Sequence, residues 1–257
     1  MSDVNSRPPS TKDPWLRAEL IAPWWKIIYV VGVMLGVGII LGAFYSARHE
    51  SGSFYQRFSD YFFIKNAAFE SGFLALFLFF LRYRGWKVSD FRIRIGWAAS
   101  LSGVALFFLT TLLVYLVNHS TLTLARDLQS TALGRWVSLF TPAHPDLLPK
   151  SVPLHWATIF GFTLLNAYYE ELVYMGYVFN QWAAKYGPFK AVLFTSLIRL
   201  IVHSYQGTEQ LLPIGLWSLL FGFWYRYNGK LWPLVLAHFL IDLLSLSLFK
   251  MIFGSPS

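Results

Sequence analysis

Apolar stretches of about 20 residues recur along almost the whole chain, and they constrain the fold more than any other feature. The clearest is IIYVVGVMLGVGIILGAF, and GWAASLSGVALFFLTTLLVYLV is nearly as clear. Only 13% of the residues are charged, which is roughly half the share in an average soluble domain. The sequence therefore predicts an all-α protein, a polytopic transmembrane helical bundle.

Seven stretches have the length and apolar character of a membrane span. They lie near residues 26–46, 62–82, 96–118, 154–178, 188–205, 210–226 and 231–249. The last four are shorter or more polar than the others, as expected of helices that face a protein interior instead of lipid. In the long connection after the third span, apolar residues at roughly helical spacing favour an interfacial amphipathic helix within 120–140.

The distribution of basic residues predicts the orientation. On one side of the predicted spans lie 13 of the 21 Lys and Arg residues, and 7 lie on the other side. Because basic loops stay in the cytoplasm, this bias predicts a multi-pass cell-membrane protein with a cytoplasmic N-terminus. We expect residues 1–25 to form a disordered cytoplasmic tail, 26–152 the first helices and the connecting loop, and 153–250 a catalytic helical core.

Composition excludes several classes of function. The net charge of +8 is explained by basic cytoplasmic loops beside anionic lipid. Nucleic-acid binding requires a solvated basic face, and the sequence predicts none. The chain has no cysteine, which excludes a thiol nucleophile, a disulfide and a cysteine-ligated metal. The polar N-terminus lacks the apolar segment of a cleavable signal peptide.

Ionisable side chains inside the predicted spans mark the candidate site, because charge at membrane depth is unfavourable and usually functional. These residues are Glu70, Glu170, Glu171, Arg199, His203, His238 and Asp242. All except Glu70 fall in the last four spans. We expect Glu70 to be a structural hydrogen-bonding group that pairs with Asn66 one turn earlier.

The spacing of these residues predicts which of them share a helix face. Arg199 and His203 are four residues apart, as are His238 and Asp242, so each pair occupies one face. Glu170 and its neighbour differ by about 100° around their helix and cannot point the same way. At about 1.5 Å per residue, Glu170, Arg199 and His238 reach similar depths of roughly 12–17 Å, whereas His203 needs a short or tilted helix to meet them.

These residue types support two kinds of hydrolytic chemistry. A carboxylate near a histidine can hold and activate water as a general base. A second histidine with a carboxylate one turn away can donate hydrogen bonds to an oxyanion. Glu170, His203 and His238 would equally suit a divalent metal such as zinc, although the HExxH motif is absent. The sequence leaves a metal-assisted and a metal-free mechanism open.

Three motifs in successive spans resemble the CPBP family of intramembrane proteases, which includes the type II CAAX prenyl proteases and the bacterial Abi proteins. They are EELVYMG from Glu170, RLIVH ending at His203 and HFLID ending at Asp242. The resemblance covers about residues 153–250. It implies that Glu170 activates the attacking water with help from His203, and that His238 and Asp242 stabilise the oxyanion. Glu171 would be a supporting group.

Two positions depart from the family pattern. Met175 stands where the family usually has arginine, and Arg199 stands where it usually has phenylalanine. We therefore predict that Arg199 supplies the missing cation, pairing with Glu171 across a helix interface. If it does not, the two departures would indicate a pseudoenzyme.

The sequence thus predicts an intramembrane endopeptidase of the CAAX type, which hydrolyses a peptide bond near the membrane. Its partners would be the lipid bilayer and a peptide or membrane-anchored protein substrate, with no nucleic acid. Two alternatives use the same residues. One is a proton- or ion-coupled transporter with a carboxylate and histidine relay. The other is a non-catalytic immunity or interaction protein that binds a membrane partner.

Overall fold

The protein is a bundle of helices, and no strand occurs among the residues that the structure describes. The structure is a computed structural model, and it describes Leu16, residues 20–33, Gly36, residues 58–127, Thr131, residues 153–203 and residues 208–253. The helices are α1 (Trp24–Val33), α2 (Asp60–Tyr83), α3 (Trp97–Asp127), α4 (Trp156–Glu171), α5 (Asn180–Tyr186), α6 (Pro188–His203), α7 (Thr208–Asn228) and α8 (Trp232–Phe253). A 3-10 turn covers Val88–Phe91, and a π-helical segment covers Leu172–Phe179.

Three described helices are long and apolar enough to cross a membrane, namely Asp60–Tyr83, Trp97–Thr121 and Trp232–Phe253. The predicted all-helical membrane bundle is therefore confirmed. The predicted count of seven spans stays a prediction. Of the first predicted span, 26–46, the structure describes α1 and Gly36.

Two predicted boundaries need correction. α3 continues to Asp127, beyond the end predicted for the third span at residue 118. Apart from Thr131, the rest of segment 120–140, where the interfacial helix is expected, lies outside the described residues. The fourth predicted span, 154–178, does not end where expected. α4, the π-helical segment and α5 follow one another without a break from Trp156 to Tyr186, and the continuous helix ends at Gly187, whose φ is 87°.

Local sequence explains where several helices begin and end. Ser59 caps α2 by accepting a hydrogen bond from the Phe62 amide at 3.2 Å, and Asp60 adds a negative charge to the first turn. Gly187, at φ 87°, ends α5 in a conformation that other residues rarely adopt. Pro188 then begins α6, where its fixed φ angle is suited to the first turn of a helix.

The helices that carry the candidate site pack closely together. α3 lies along α8, α6 along α7, and α4 against both α2 and α8. Glycine allows two of these close approaches: a Cβ atom at Gly103 would lie 2.9 Å from the Pro233 carbonyl, and one at Gly222 would lie 2.9 Å from Val192 Cγ1. The π-helical segment is buried along its whole length. The bundle therefore places the end of α4 in its interior.

Candidate active site

The two adjacent glutamates stand at the point where α4 changes to π-helical geometry. Glu171 is the last residue of α4, and the eight residues after it form the π-helical segment. Such segments are rare in proteins, and those that occur are often found at functional sites. The glutamates point to different partners, as their angular separation predicts. Glu170 faces His203 on α6, and Glu171 faces both Arg199 on α6 and His238 on α8.

Glu171 is the centre of a fully buried charged network. Arg199 donates from Nη2 to Glu171 Oε1 at 2.7 Å, and both side chains are 0% exposed. His238 Nδ1 lies 2.9 Å from the same oxygen. Two hydrogen-bonded partners on one carboxylate satisfy much of the requirement for burying its charge. The contact predicted between Arg199 and Glu171 is thus present across the interface between α4 and α6.

Aromatic rings enclose the guanidinium group of Arg199. Its central carbon lies 4.3 Å from the centroid of the Tyr174 ring and 4.4 Å from that of the Trp217 ring. Cations are attracted to aromatic faces, particularly where water is excluded. Tyr174 belongs to the π-helical segment and Trp217 to α7. Arg199 is therefore held by three neighbouring elements besides its own helix.

His238 also faces a second carboxylate, on the other side of its ring. Its Nε2 atom lies 3.4 Å from Asp242 Oδ2, which is longer than the 2.9 Å contact between Nδ1 and Glu171. Asn166 on α4 donates from Nδ2 to the same Asp242 oxygen at 2.9 Å. The short contact with Glu171 fixes the orientation of the imidazole ring. The longer contact with Asp242 is weaker, so Nε2 is the nitrogen that is more available to a further partner.

Glu170 and His203 form a second, looser pair. Glu170 Oε1 lies 3.6 Å from His203 Nε2, beyond the range of a direct hydrogen bond. Glu170 Oε2 is enclosed and has no hydrogen-bond partner among the described residues. A carboxylate oxygen and an imidazole nitrogen at this separation can both hydrogen-bond to one water molecule beside them. The pair is thus suited to hold water between a carboxylate and an imidazole.

The two groups form one cluster, because Glu170 and Glu171 are adjacent on α4 and their partners Arg199 and His203 are one turn apart on α6. All six candidate residues consequently lie together in the interior of the bundle. Their chemical roles stay predictions.

The candidate metal ligands do not form a metal site in this arrangement. Among the described residues, no group of three His, Asp or Glu side chains is placed to hold a metal ion. Glu170 and His203 form one pair, whereas His238 lies between Glu171 and Asp242. The guanidinium group of Arg199 already occupies the side of Glu171 next to His238. The described residues therefore do not fit a resident metal ion.

Sequence reasoning missed one polar residue near the site and assigned another the wrong partner. Asn166 has a simple signal, since it lies four residues before Glu170 on the same face of α4 and is an amide within an apolar stretch. Glu70 was expected to pair with Asn66, but Glu70 Oε2 has no hydrogen-bond partner in the described part of the chain. Glu70 instead interacts electrostatically with Glu170, Asp242 and His238.

Comparison with known proteins supplies one match. Residues 152–244 match the family model described as Type II CAAX prenyl endopeptidase Rce1-like. No curated protein and no solved structure matches the chain significantly. The matched segment contains all six candidate residues and excludes α1, α2 and α3.

Proposed function

The chain carries an Rce1-like domain of the CPBP family in residues 152–244, and on this premise we propose that it is an intramembrane endopeptidase. It would hydrolyse a peptide bond of a membrane-anchored peptide or protein. The observation that carries the proposal is the pairing of Glu170 with His203 at 3.6 Å, beside an orientated His238.

In the proposed reaction, Glu170 accepts a proton from water as the water oxygen attacks the substrate carbonyl carbon. His203 holds the same water by a hydrogen bond. The negative charge that develops on the carbonyl oxygen is stabilised by Nε2 of His238, which donates to it when the ring carries both protons. Glu171 acts through His238, because its short contact with Nδ1 fixes the orientation of the ring.

A surface cleft supports access to the site from the side of the bundle. The cleft has a volume of about 340 Å³ and lies between α2 and α4. Its lining is almost entirely apolar: Phe63, Ile64, Ala67, Ala157, Thr158, Gly161 and Phe162. One turn further along the two helices are Glu70 and Asn166. An extended peptide entering here would have its backbone shielded from lipid by the two helices.

A cleavage assay tests the proposed function. Purified protein in detergent or liposomes is incubated with membrane-anchored peptides in H₂¹⁸O, and the products are identified by mass spectrometry. A hydrolase incorporates one ¹⁸O atom into the new carboxyl group. If the wild-type protein cleaves no peptide in a broad panel, a non-catalytic binding function or transport replaces this proposal.

Replacing His203 with alanine is expected to reduce this cleavage about 10²–10⁴-fold, because the attacking water loses a hydrogen-bond partner. His119→Ala is the matched control, since His119 is an exposed residue of α3 outside the candidate site. Initial rates are compared at equal amounts of folded protein. Equal rates for both variants would remove His203 from the mechanism.

We further propose that the N-terminus lies in the cytoplasm, since 13 of the 21 Lys and Arg residues fall on that side of the predicted spans. The chain contains no cysteine, so single cysteines can be introduced as unique labels. Cysteine at Ser10 is expected to resist an impermeant thiol reagent in intact cells and to react after lysis. Labelling before lysis would instead place the N-terminus outside the cell and contradict the proposed orientation.

A further inference from the structure

Glu70 is a carboxylate near the site to which neither the family match nor the proposed mechanism assigns a role. It lies within α2, a helix long and apolar enough to span the membrane. Its Oε2 atom is enclosed and has no hydrogen-bond partner among the described residues. Enclosed polar atoms are normally paired, and an exception in a structure calls for an explanation. Here a structural role as a hydrogen-bonding group is not supported.

The position of Glu70 links it to the site. It interacts electrostatically with Glu170 on α4 and with His238 and Asp242 on α8. α2 packs against α4, and the cleft between these two helices ends one turn before Glu70 and Asn166. Glu70 therefore lies where the cleft meets the catalytic residues.

The charges of the cluster are unbalanced. The described cluster contains four carboxylates, Glu70, Glu170, Glu171 and Asp242, and its basic side chains are Arg199, His203 and His238. Even with both histidines protonated, the carboxylates exceed the cations by one. A buried charge without a partner is strongly unfavourable, and two nearby carboxylates commonly share a proton. Glu70 has no ion pair among the described residues, and its Oε2 atom has no hydrogen-bond partner there.

The proposed hydrolysis also needs a second proton transfer. Glu170 accepts a proton from water, but the leaving nitrogen must gain a proton before the C–N bond can break readily. His238 faces Glu171 and Asp242, and His203 faces Glu170. We propose that Glu70 is a further catalytic residue, the general acid that donates its proton to the leaving nitrogen of the substrate peptide bond.

The atoms balance in this step. The C–N bond breaks, its electron pair stays on nitrogen, and the proton from the Glu70 carboxyl group completes the amine. Glu170 then holds the proton that came from water, and its transfer to Glu70 restores both groups. The electrostatic coupling between Glu70 and Glu170 is consistent with that return.

The test compares two substrates that differ in their leaving group. A cleaved membrane-anchored peptide is prepared with its scissile amide, and in a second form with an ester in place of that amide. The ester is made from an acidic phenol. Its leaving group departs as a phenolate, so cleavage of the ester depends less on protonation of the leaving group than cleavage of the amide does. Hydrolysis of both forms is measured for wild type, Glu70→Gln and Glu170→Gln. The inference rests on the proposed function, so the wild-type protein must first cleave the amide.

Glu70→Gln is expected to slow amide hydrolysis about 100-fold or more and to change hydrolysis of the activated ester less than about threefold. Glu170→Gln is expected to slow both, because each reaction needs activated water. Equal rates of amide cleavage by wild type and Glu70→Gln would overturn the inference. A parallel loss on both substrates by folded Glu70→Gln would also overturn it, since it would indicate a structural role.

A second variant guards against failure to fold. Glu70→Leu removes the half-buried carboxylate and suits an apolar helix, and replacing enclosed charged groups with apolar residues is often neutral or stabilising. The same difference between amide and ester is expected for this variant. If neither wild type nor any variant hydrolyses amide or ester, the proposed function fails as a whole, which is a different outcome from an unchanged Glu70 variant.

Discussion

Replacing Glu170 with glutamine is expected to reduce peptide cleavage about 10³–10⁴-fold while the fold is retained. Glutamine has nearly the shape of glutamate and can still form hydrogen bonds, but it cannot accept a proton from water at neutral pH. Glu170 Oε2 has no hydrogen-bond partner among the described residues, so no buried ion pair depends on that atom. The expected loss is therefore chemical instead of structural.

The measurement is the initial rate of cleavage, together with thermal unfolding in detergent. Asp127→Asn is a matched control, because Asp127 is an exposed carboxylate at the end of α3. The control should cleave at the wild-type rate, and both variants should unfold near the wild-type temperature. A Glu170→Gln variant that cleaves at the wild-type rate would show that another group activates the water.

Replacing Arg199 with phenylalanine is expected to destabilise the protein by about 3–5 kcal/mol. Arg199 and Glu171 are both 0% exposed, and their contact is 2.7 Å long. Phenylalanine restores the residue usual in the family at this position but leaves the Glu171 carboxylate with His238 as its one hydrogen-bond partner among the described residues. Activity should also fall, because a displaced Glu171 no longer orients His238.

A second substitution separates loss of charge from loss of packing. Met175 is fully buried and lies four residues after Glu171, where the family usually carries arginine. The double variant Met175→Arg with Arg199→Phe therefore moves the cation from α6 to the π-helical segment that follows α4. It should recover at least half of the lost stability and some activity, whereas Met175→Arg alone should destabilise by adding a buried cation.

The four proteins of this series form a double-mutant cycle. Free energies of unfolding are measured by denaturant titration in detergent, and cleavage rates are measured beside them. A relocated cation predicts strong positive coupling between positions 175 and 199. Additive effects, or an Arg199→Phe variant as stable and active as wild type, would contradict the relocation.

Several features of the site could be predicted from sequence because they depend on residues close together in the chain. The spacing of Arg199 and His203, and of His238 and Asp242, places each pair on one helix face whatever the rest of the fold does. The contact between Arg199 and Glu171 was also predicted, although from the departure of positions 175 and 199 from the family pattern and not from spacing. Asn166 could have been included by the same rule of spacing.

Other features depend on packing between distant segments and were not predictable in this way. The role expected for Glu70, pairing with Asn66 within one helix, considered only its own turn of α2. The fold brings Glu70 near residues about 100 and 170 positions further along the chain, because α2 packs on α4 and α4 on α8. The π-helical segment was likewise not predicted, because no local motif specifies it.

By itself, the sequence determined that this is a helical membrane protein and which ionisable side chains it buries. Apolar length and the unfavourable free energy of charge at membrane depth act locally, so both follow from the chain alone. Only the tertiary structure decided how the buried charges are shared. The contact of Glu171 with His238, the 3.6 Å separation between Glu170 and His203, and the approach of Glu70 depend on helices meeting across interfaces.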